Sequence, residues 1–145
     1  MLDANTKRYL QSDANDVYAM LKDTEELHVA ELTYSEKAVQ SWHIKRAEDV
    51  LLIAEAAETL VGFIAAKLND PELGAAYIDC VVVRPEYRGR GIGKQLLEQC
   101  ISSLKARGVF FVNLHVRRDF PHAVGFWDAN GFRGKQCLLW MYKEI

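Results

Sequence analysis

Apolar residues in this chain recur with two different periods, and the changes of period mark its elements. Val17, Met20 and Leu21 fall at i, i+3 and i+4 behind Ser12 and Asp13, residue types that cap helix N-termini, which predicts a first amphipathic helix. Lys7 to Leu10 reads as a short strand before it. Thr33 and Glu36 stand at capping-box spacing, and Ala38, Val39 and Trp42 then share one face of a second helix. DVLLIAEA and TLVGFIAAKL, joined by a short polar turn around residues 57–59, read as an antiparallel hairpin, although the turn has no Asn-Gly pair to set its register.

AAYIDCVVV, residues 75–83, is rich in β-branched side chains and predicts a strand. Ile92, Leu96, Leu97, Cys100, Ile101 and Leu104 then form one helical stripe, with Lys105 and Arg107 in the last turn and Gly108 as the stop. VFFVNLHV, residues 109–116, is a further strand, and two strands joined through a helix make a right-handed parallel βαβ unit. Pro121 suits a first helical position, Asn130-Gly131 closes that short helix, and QCLLWMYKEI reads as a last strand. The expected fold is α/β, a single domain over residues 1–145 with a mixed central sheet flanked by helices.

Composition narrows the function classes. Half of the 145 residues are hydrophobic, 26% are charged and the formal net charge is −2, so no basic excess points to nucleic acid or an anionic membrane. The start, MLDANTKRYLQ, lacks the apolar stretch of a secretory signal, and no apolar run is long enough to span a bilayer, so the expected location is cytoplasmic. Cys80, Cys100 and Cys137 have no C-x-x-C spacing and the four histidines are scattered, so reduced thiols and no metal are expected.

Between the strand ending in VVV and the long helix lies RPEYRGRGIGK, with Gly89, Gly91 and Gly93 at alternate positions. Glycine suits positive φ or close approach to the main chain, and a glycine loop leading into a helix offers unpaired N–H groups and the positive end of a dipole to phosphate oxygens. The spacing is not the G-x-G-x-x-G of a dinucleotide fold. Nor is it a Walker A loop, because three residues separate Gly89 from Gly93 and Gln95 follows Lys94.

What it matches is Arg/Gln-x-x-Gly-x-Gly/Ala, here Arg88, Gly89, Arg90, Gly91, Ile92, Gly93. With the V-x-V-x-P-x-x-R run before it, the leucine-rich helix after it and AVGFWDANGF further on, the sequence resembles the GNAT superfamily of acyl-CoA-dependent N-acyltransferases. The resemblance implies an N-acetyltransferase that uses acetyl-CoA as co-substrate, with Arg88, Gly89, Arg90, Gly91, Ile92, Gly93 and Lys94 around the pyrophosphate. It implies that the main chain of Val81, Val82 and Val83 pairs with the pantetheine amides, and that Phe126 and Trp127 line the cofactor. Phe120 and Trp127 depart from the family's usual Asn and Tyr, and the second removes the phenol that commonly protonates the departing thiolate. A non-catalytic acyl-CoA-binding or regulatory module of the same fold is the competing reading.

An amine acceptor must lose a proton, which for a group of pKa near 10.4 costs roughly 4.6 kcal/mol at neutral pH. The resemblance makes Asp79 the leading base, two residues before Val81 on the strand and taken to share its face, with Tyr77 beside it. A lone Asp in an apolar strand is costly unless hydrogen-bonded, so Asp79 also reads as a brace for a neighbouring loop. His115 and His122 are weaker candidates for the same role, and each reads equally as an ordinary strand or helix-end residue. Glu25, Glu26 and Glu31 lie where this family holds its acceptor, whether as a cation-attracting wall or a solvated loop. The expected partners are a small-molecule or peptide amine, with no nucleic acid and no membrane, and a homodimer is left open.

Overall fold

In the computed structural model, which describes residues 4–27, 34–69, 72–135, 139 and 141–145, the chain forms two compact units, Met1–His115 and Val116–Ile145. The first unit is built on a five-stranded sheet in the order β1-β2-β3-β4-β5. Its strands are β1 (Asn5–Arg8), β2 (Val50–Ala56), β3 (Thr59–Leu68), β4 (Ala75–Val83) and β5 (Phe111–Asn113). Pairing is antiparallel from β1 to β4 and parallel between β4 and β5. Helices α1 (Ala14–Asp23), α2 (Glu36–Lys45) and α3 (Ile92–Lys105) belong to the same unit, and α4 (Pro121–Ala129) to the second. The mixed α/β fold is the one that the sequence predicts.

Particular elements differ in ways that have local causes. The first strand sits two residues earlier than its pattern, because Gln11–Asp13 form a turn of 3₁₀ helix and take up the chain before α1. Asp13 precedes α1 without capping it; its carboxylate instead accepts the Leu10 N–H at 2.8 Å. The N-cap of α2 is Ser35, whose hydroxyl accepts the Ala38 N–H at 3.1 Å, while the expected cap Thr33 lies outside the described residues. The β2–β3 turn is made by Ala57 and Glu58, both at positive φ (49° and 64°), so two non-glycine residues stand where an Asn-Gly signal would. β5 is three residues long rather than eight, and of the predicted last strand the described residues 139 and 141–145 form none. Residues 136–138 and 140, Cys137 among them, lie outside the described residues.

The sheet is covered on both faces. On one, Val17, Met20 and Leu21 of α1 and Val39 and Trp42 of α2 pack with Leu51, Ile53, Phe63, Ala65, Cys80 and Val82. Trp42 stacks on Phe63 with centroids 6.0 Å apart, and Tyr9 meets Phe63 edge-on while its hydroxyl donates to Val39 O at 2.7 Å. On the other face α3 buries Ile92, Leu96, Leu97, Cys100 and Leu104. Gly62 is what lets α3 settle there: a Cβ on it would stand 3.0 Å from Leu96 Cδ1, 3.2 Å from Val82 O and 3.3 Å from Ile92 Cγ2.

These faces fix the orientation of β4. Phe63 and Ala65 pair with Val82 and Cys80, whereas Ala66 pairs with Ile78, so the register slips and Asp79 is an extra residue with no partner of its own on β3. Ala76 and Ile78 therefore face α3, whereas Cys80 and Val82 face α1 and α2.

Gly62→Val is expected to cost about 1–3 kcal/mol by overpacking the β3–α3 contact. Urea unfolding followed by circular dichroism checks it, and an unchanged midpoint would contradict this account of α3 packing.

Candidate active site

The β4–β5 ladder consists of Ala75–Phe111, Ala76–Val112 and Tyr77–Asn113 and stops there. From Ile78 to Val83, β4 keeps β3 on one side and, among the described residues, has no strand partner on the other. Arg84 N–H donates to Val61 O at 2.8 Å, so by the alternation of a strand the polar groups of Val82 turn toward β3 and those of Val81 and Val83 turn to the open edge. Unpaired strand backbone of this kind is a template for an extended chain carrying amides. Arg88 already uses part of it, donating from Nε to Val83 O at 3.0 Å.

The open edge leads into the glycine loop. Pro85–Tyr87 form a turn of 3₁₀ helix, and Gly89 (φ 74°) and Gly91 (φ 82°) take left-handed backbone, with Gly91 as the N-cap of α3. Gln95 N–H is bonded to Gly91 O at 3.0 Å, which leaves the N–H groups of Ile92, Gly93 and Lys94 without intrahelical acceptors. Arg90 sits over the Tyr87 ring, 5.5 Å from its centroid, and the exposed Lys94 is 3.9 Å from Glu98. A cleft of about 70 Å³ lined by Met20, Asp23, Thr24, Val82, Val83, Arg84, Pro85 and Arg88 joins the end of β4 to the end of α1. The chain thus brings strand edge, bare left-handed backbone, cationic side chains and helix N-terminus together over residues 81–94.

Asp79 is placed differently from its expectation. The extra residue in β4 puts it on the α2 face and Val81 on the α3 face, so the two do not share a face. Its carboxylate accepts from Arg46 Nη2 at 2.6 Å, and Arg46 Nε donates to Asp49 at 2.7 Å. Asp49 in turn accepts the Leu68 N–H at 3.1 Å, and the Arg46 guanidinium lies 5.2 Å from the Trp42 centroid. With only 13% of the Arg46 side chain and 18% of Asp79 exposed, this is a largely buried ion network that ties the end of α2 to β3 and β4. Burial pushes the Asp79 carboxyl above the usual carboxylate range, with Arg46 pulling it back. Arg46 has no signature in the sequence; the available signal was Asp79 itself, since a carboxylate inside an apolar strand needs a cation or donors.

Tyr77, on the α2 face with Asp79, reaches His115, its Oη 3.0 Å from Nδ1. Burial, with Asp79 adding to it, pushes the Tyr77 phenol up. The Glu26 side chain and Glu31 lie outside the described parts, and Glu25 is exposed after α1. In the second unit Trp127 is buried, edge-on to Phe126 and Phe132 at 5.0 and 4.9 Å, and Phe120 precedes α4.

The sequence profile of the Acetyltransferase (GNAT) family matches residues 14–132. An uncharacterized N-acetyltransferase of Methanocaldococcus jannaschii is 34% identical over 111 residues, covering 72% of this chain and 49% of that protein. The chain therefore spans about half the length of that relative. A spermidine N(1)-acetyltransferase of Thermoplasma acidophilum is 31% identical over 118 residues, covering 69% of this chain and 70% of that one. Among solved structures, a transcriptional regulator from Bacillus halodurans superposes with TM-score 0.79 at 24% identity over 97% of this chain and 100% of that chain. The PaiA N-acetyltransferase of Thermoplasma acidophilum in complex with coenzyme A gives TM-score 0.75 at 24% identity over 92% of each chain. At these identities the superpositions establish the fold.

Arg46→Met is expected to lower stability by about 3 kcal/mol at neutral pH, because it leaves a largely buried carboxylate without its cation. The folded pKa of Asp79, already raised, would rise further. A raised folded pKa adds stability below the unfolded value and loses it as pH climbs through the folded one, so the deficit should shrink near pH ~4. Urea titrations of both proteins at the two pH values check this, and a deficit equal at both would contradict it.

Proposed function

The chain belongs to the GNAT acetyltransferase family, and from that premise we propose that it is an N-acetyltransferase, one domain over residues 1–145, which transfers the acetyl group of acetyl-CoA to an amine. The observation that carries the reading is the β4 edge opened from Ile78 to Val83 and continued by the left-handed glycines into the start of α3. The residues present fit a phosphorylated thioester. A Cβ at Gly89 or Gly91 would be strained where phosphate oxygens need the backbone bare, and the free N–H groups of Ile92, Gly93 and Lys94 complement negative charge.

In this reading Arg88, Arg90 and Lys94 add charge around the pyrophosphate, and the open-edge groups of Val81 and the N–H of Val83 pair with the pantetheine amides. Val82 contributes as part of the wall. Phe126 and Trp127 enter as cofactor residues by family resemblance alone. Acetyl-CoA, when bound, supplies an acyl group activated as a thioester. The acceptor nitrogen forms the new N–C bond as the C–S bond breaks, the electron pair leaves on sulfur, and a proton must be taken from nitrogen. Backbone N–H at Val81 is the donor proposed to stabilise the developing oxyanion. Tyr77 is proposed to stand beside the acceptor, and Asp79, held by Arg46, to fix the shape of that wall. Spermidine acetylation, the activity in the name of one relative, makes polyamines the first acceptors to try. The same proposal puts the protein in the cytoplasm, in keeping with Cys80 and Cys100, both buried and free.

Calorimetry with acetyl-CoA and thiol release across an amine panel test the proposal. Wild type should bind and release thiol only with an amine, whereas Gly91→Glu should lose binding at least tenfold. Gly91→Asn, which left-handed backbone tolerates, keeps the test open should Gly91→Glu misfold, and should also weaken binding. Unchanged affinity in either folded variant would sink the assignment. Binding without transfer to any amine would favour the non-catalytic module.

A further inference from the structure

The proton released by the acceptor needs a group that can take it, and Asp79 is committed to Arg46. A second titratable pair stands at the root of the open edge. Tyr77 is the last β4 residue with a β5 partner, and Asn113, that partner, donates from Nδ2 to Ala76 O at 3.0 Å and fastens the strands at the point where they part. His115 follows two residues later and is exposed. Its imidazole leans on the Tyr77 ring, centroids 5.5 Å apart and planes at 53°, with Nδ1 3.0 Å from the phenol oxygen. The phenol and imidazole thus bridge β4 and β5 where the unpaired β4 backbone begins.

Resting on the acetyltransferase reading, we propose that His115 is the base that takes the acceptor's proton, and that Tyr77 is the positioning residue that sets its tautomer. In the proposed tautomer Nδ1–H donates to Tyr77 Oη across the 3.0 Å contact, which leaves the Nε2 lone pair free on an exposed ring. The acceptor first gives its ammonium proton through Nε2 to water; then, as the neutral amine's N–C bond forms and the C–S bond breaks, the second proton lost by nitrogen passes to Nε2. The imidazolium then gives it to the departing thiolate or to water and returns to its starting state. The raised phenol pKa keeps Tyr77 neutral through the cycle, so its oxygen orients the ring without competing for the proton. This division of labour also accounts for Trp127 in place of a phenol, because the proton that His115 takes up is returned to the departing thiolate without a separate acid.

The first test needs no cofactor. Nitrogen NMR of ¹⁵N-histidine-labelled protein in alkaline buffer should show the Nδ1–H tautomer at His115, and Tyr77→Phe should move it toward Nε2–H. An Nε2–H tautomer in wild type overturns the proposal. In the transfer assay, His115→Ala should lose about 10²-fold in kcat with acetyl-CoA affinity unchanged, and added imidazole should restore part of it. Tyr77→Phe should lose less. Wild-type transfer together with an undiminished kcat in His115→Ala removes this proposal and leaves the acetyltransferase reading standing; wild type that binds acetyl-CoA but transfers to no amine removes both.

Discussion

One added residue in β4, Asp79, sits opposite the Ala65–Ala66 step of β3, and the neighbouring elements are arranged around it. The bulge increases local twist and turns the strand beyond it, so the buried positions pass from the α3 face at Ala76 and Ile78 to the α1–α2 face at Cys80 and Val82. β5 pairs with β4 only before the bulge. The open edge, the seat of Tyr77 and the docking of α2 through Arg46 all lie within a few residues of that irregularity.

The bulge also explains a carboxylate where the strand pattern asks for an apolar residue. Burying Asp79 carries a desolvation penalty that only a well-placed cation and donors offset. Arg46 supplies both at the end of α2, and through Asp49, which accepts the Leu68 N–H, the network joins the end of α2 to β3 and β4. A hydrophobic pair of similar volume would pack at least as well. What the ion network adds is direction, since charge-assisted bonds accept few relative orientations of α2 and β4.

Much of this was legible in the sequence. β4 and α3 run over the residues their patterns predict, because a β-branched run and a strict helical stripe are strong local signals, and the glycine spacing between them pointed to a cradle for phosphate. The bulge was not legible: burial alternates without a break along β4 even though the buried face changes, so period-2 counting passes over it. For the same reason Asp79 and Val81 read as neighbours on one face. β5 was overestimated because Leu114 and Val116 continue its apolar pattern after its partner strand has turned away. Arg46 and His115 matter through partners 33 and 38 residues away, a relation no local pattern carries.

The β2–β3 turn bears on how the chain reaches this structure. Ala57 and Glu58 both occupy left-handed backbone, a conformation that costs a residue bearing a side chain roughly 1–2 kcal/mol. A hairpin closed by so reluctant a turn is poorly suited to nucleate from its tip. Its stability has to come from the strands, where Ile53 pairs with Phe63 and Leu51 with Ala65. The hairpin therefore depends on the core it shares with α1 and α2 rather than on its own turn.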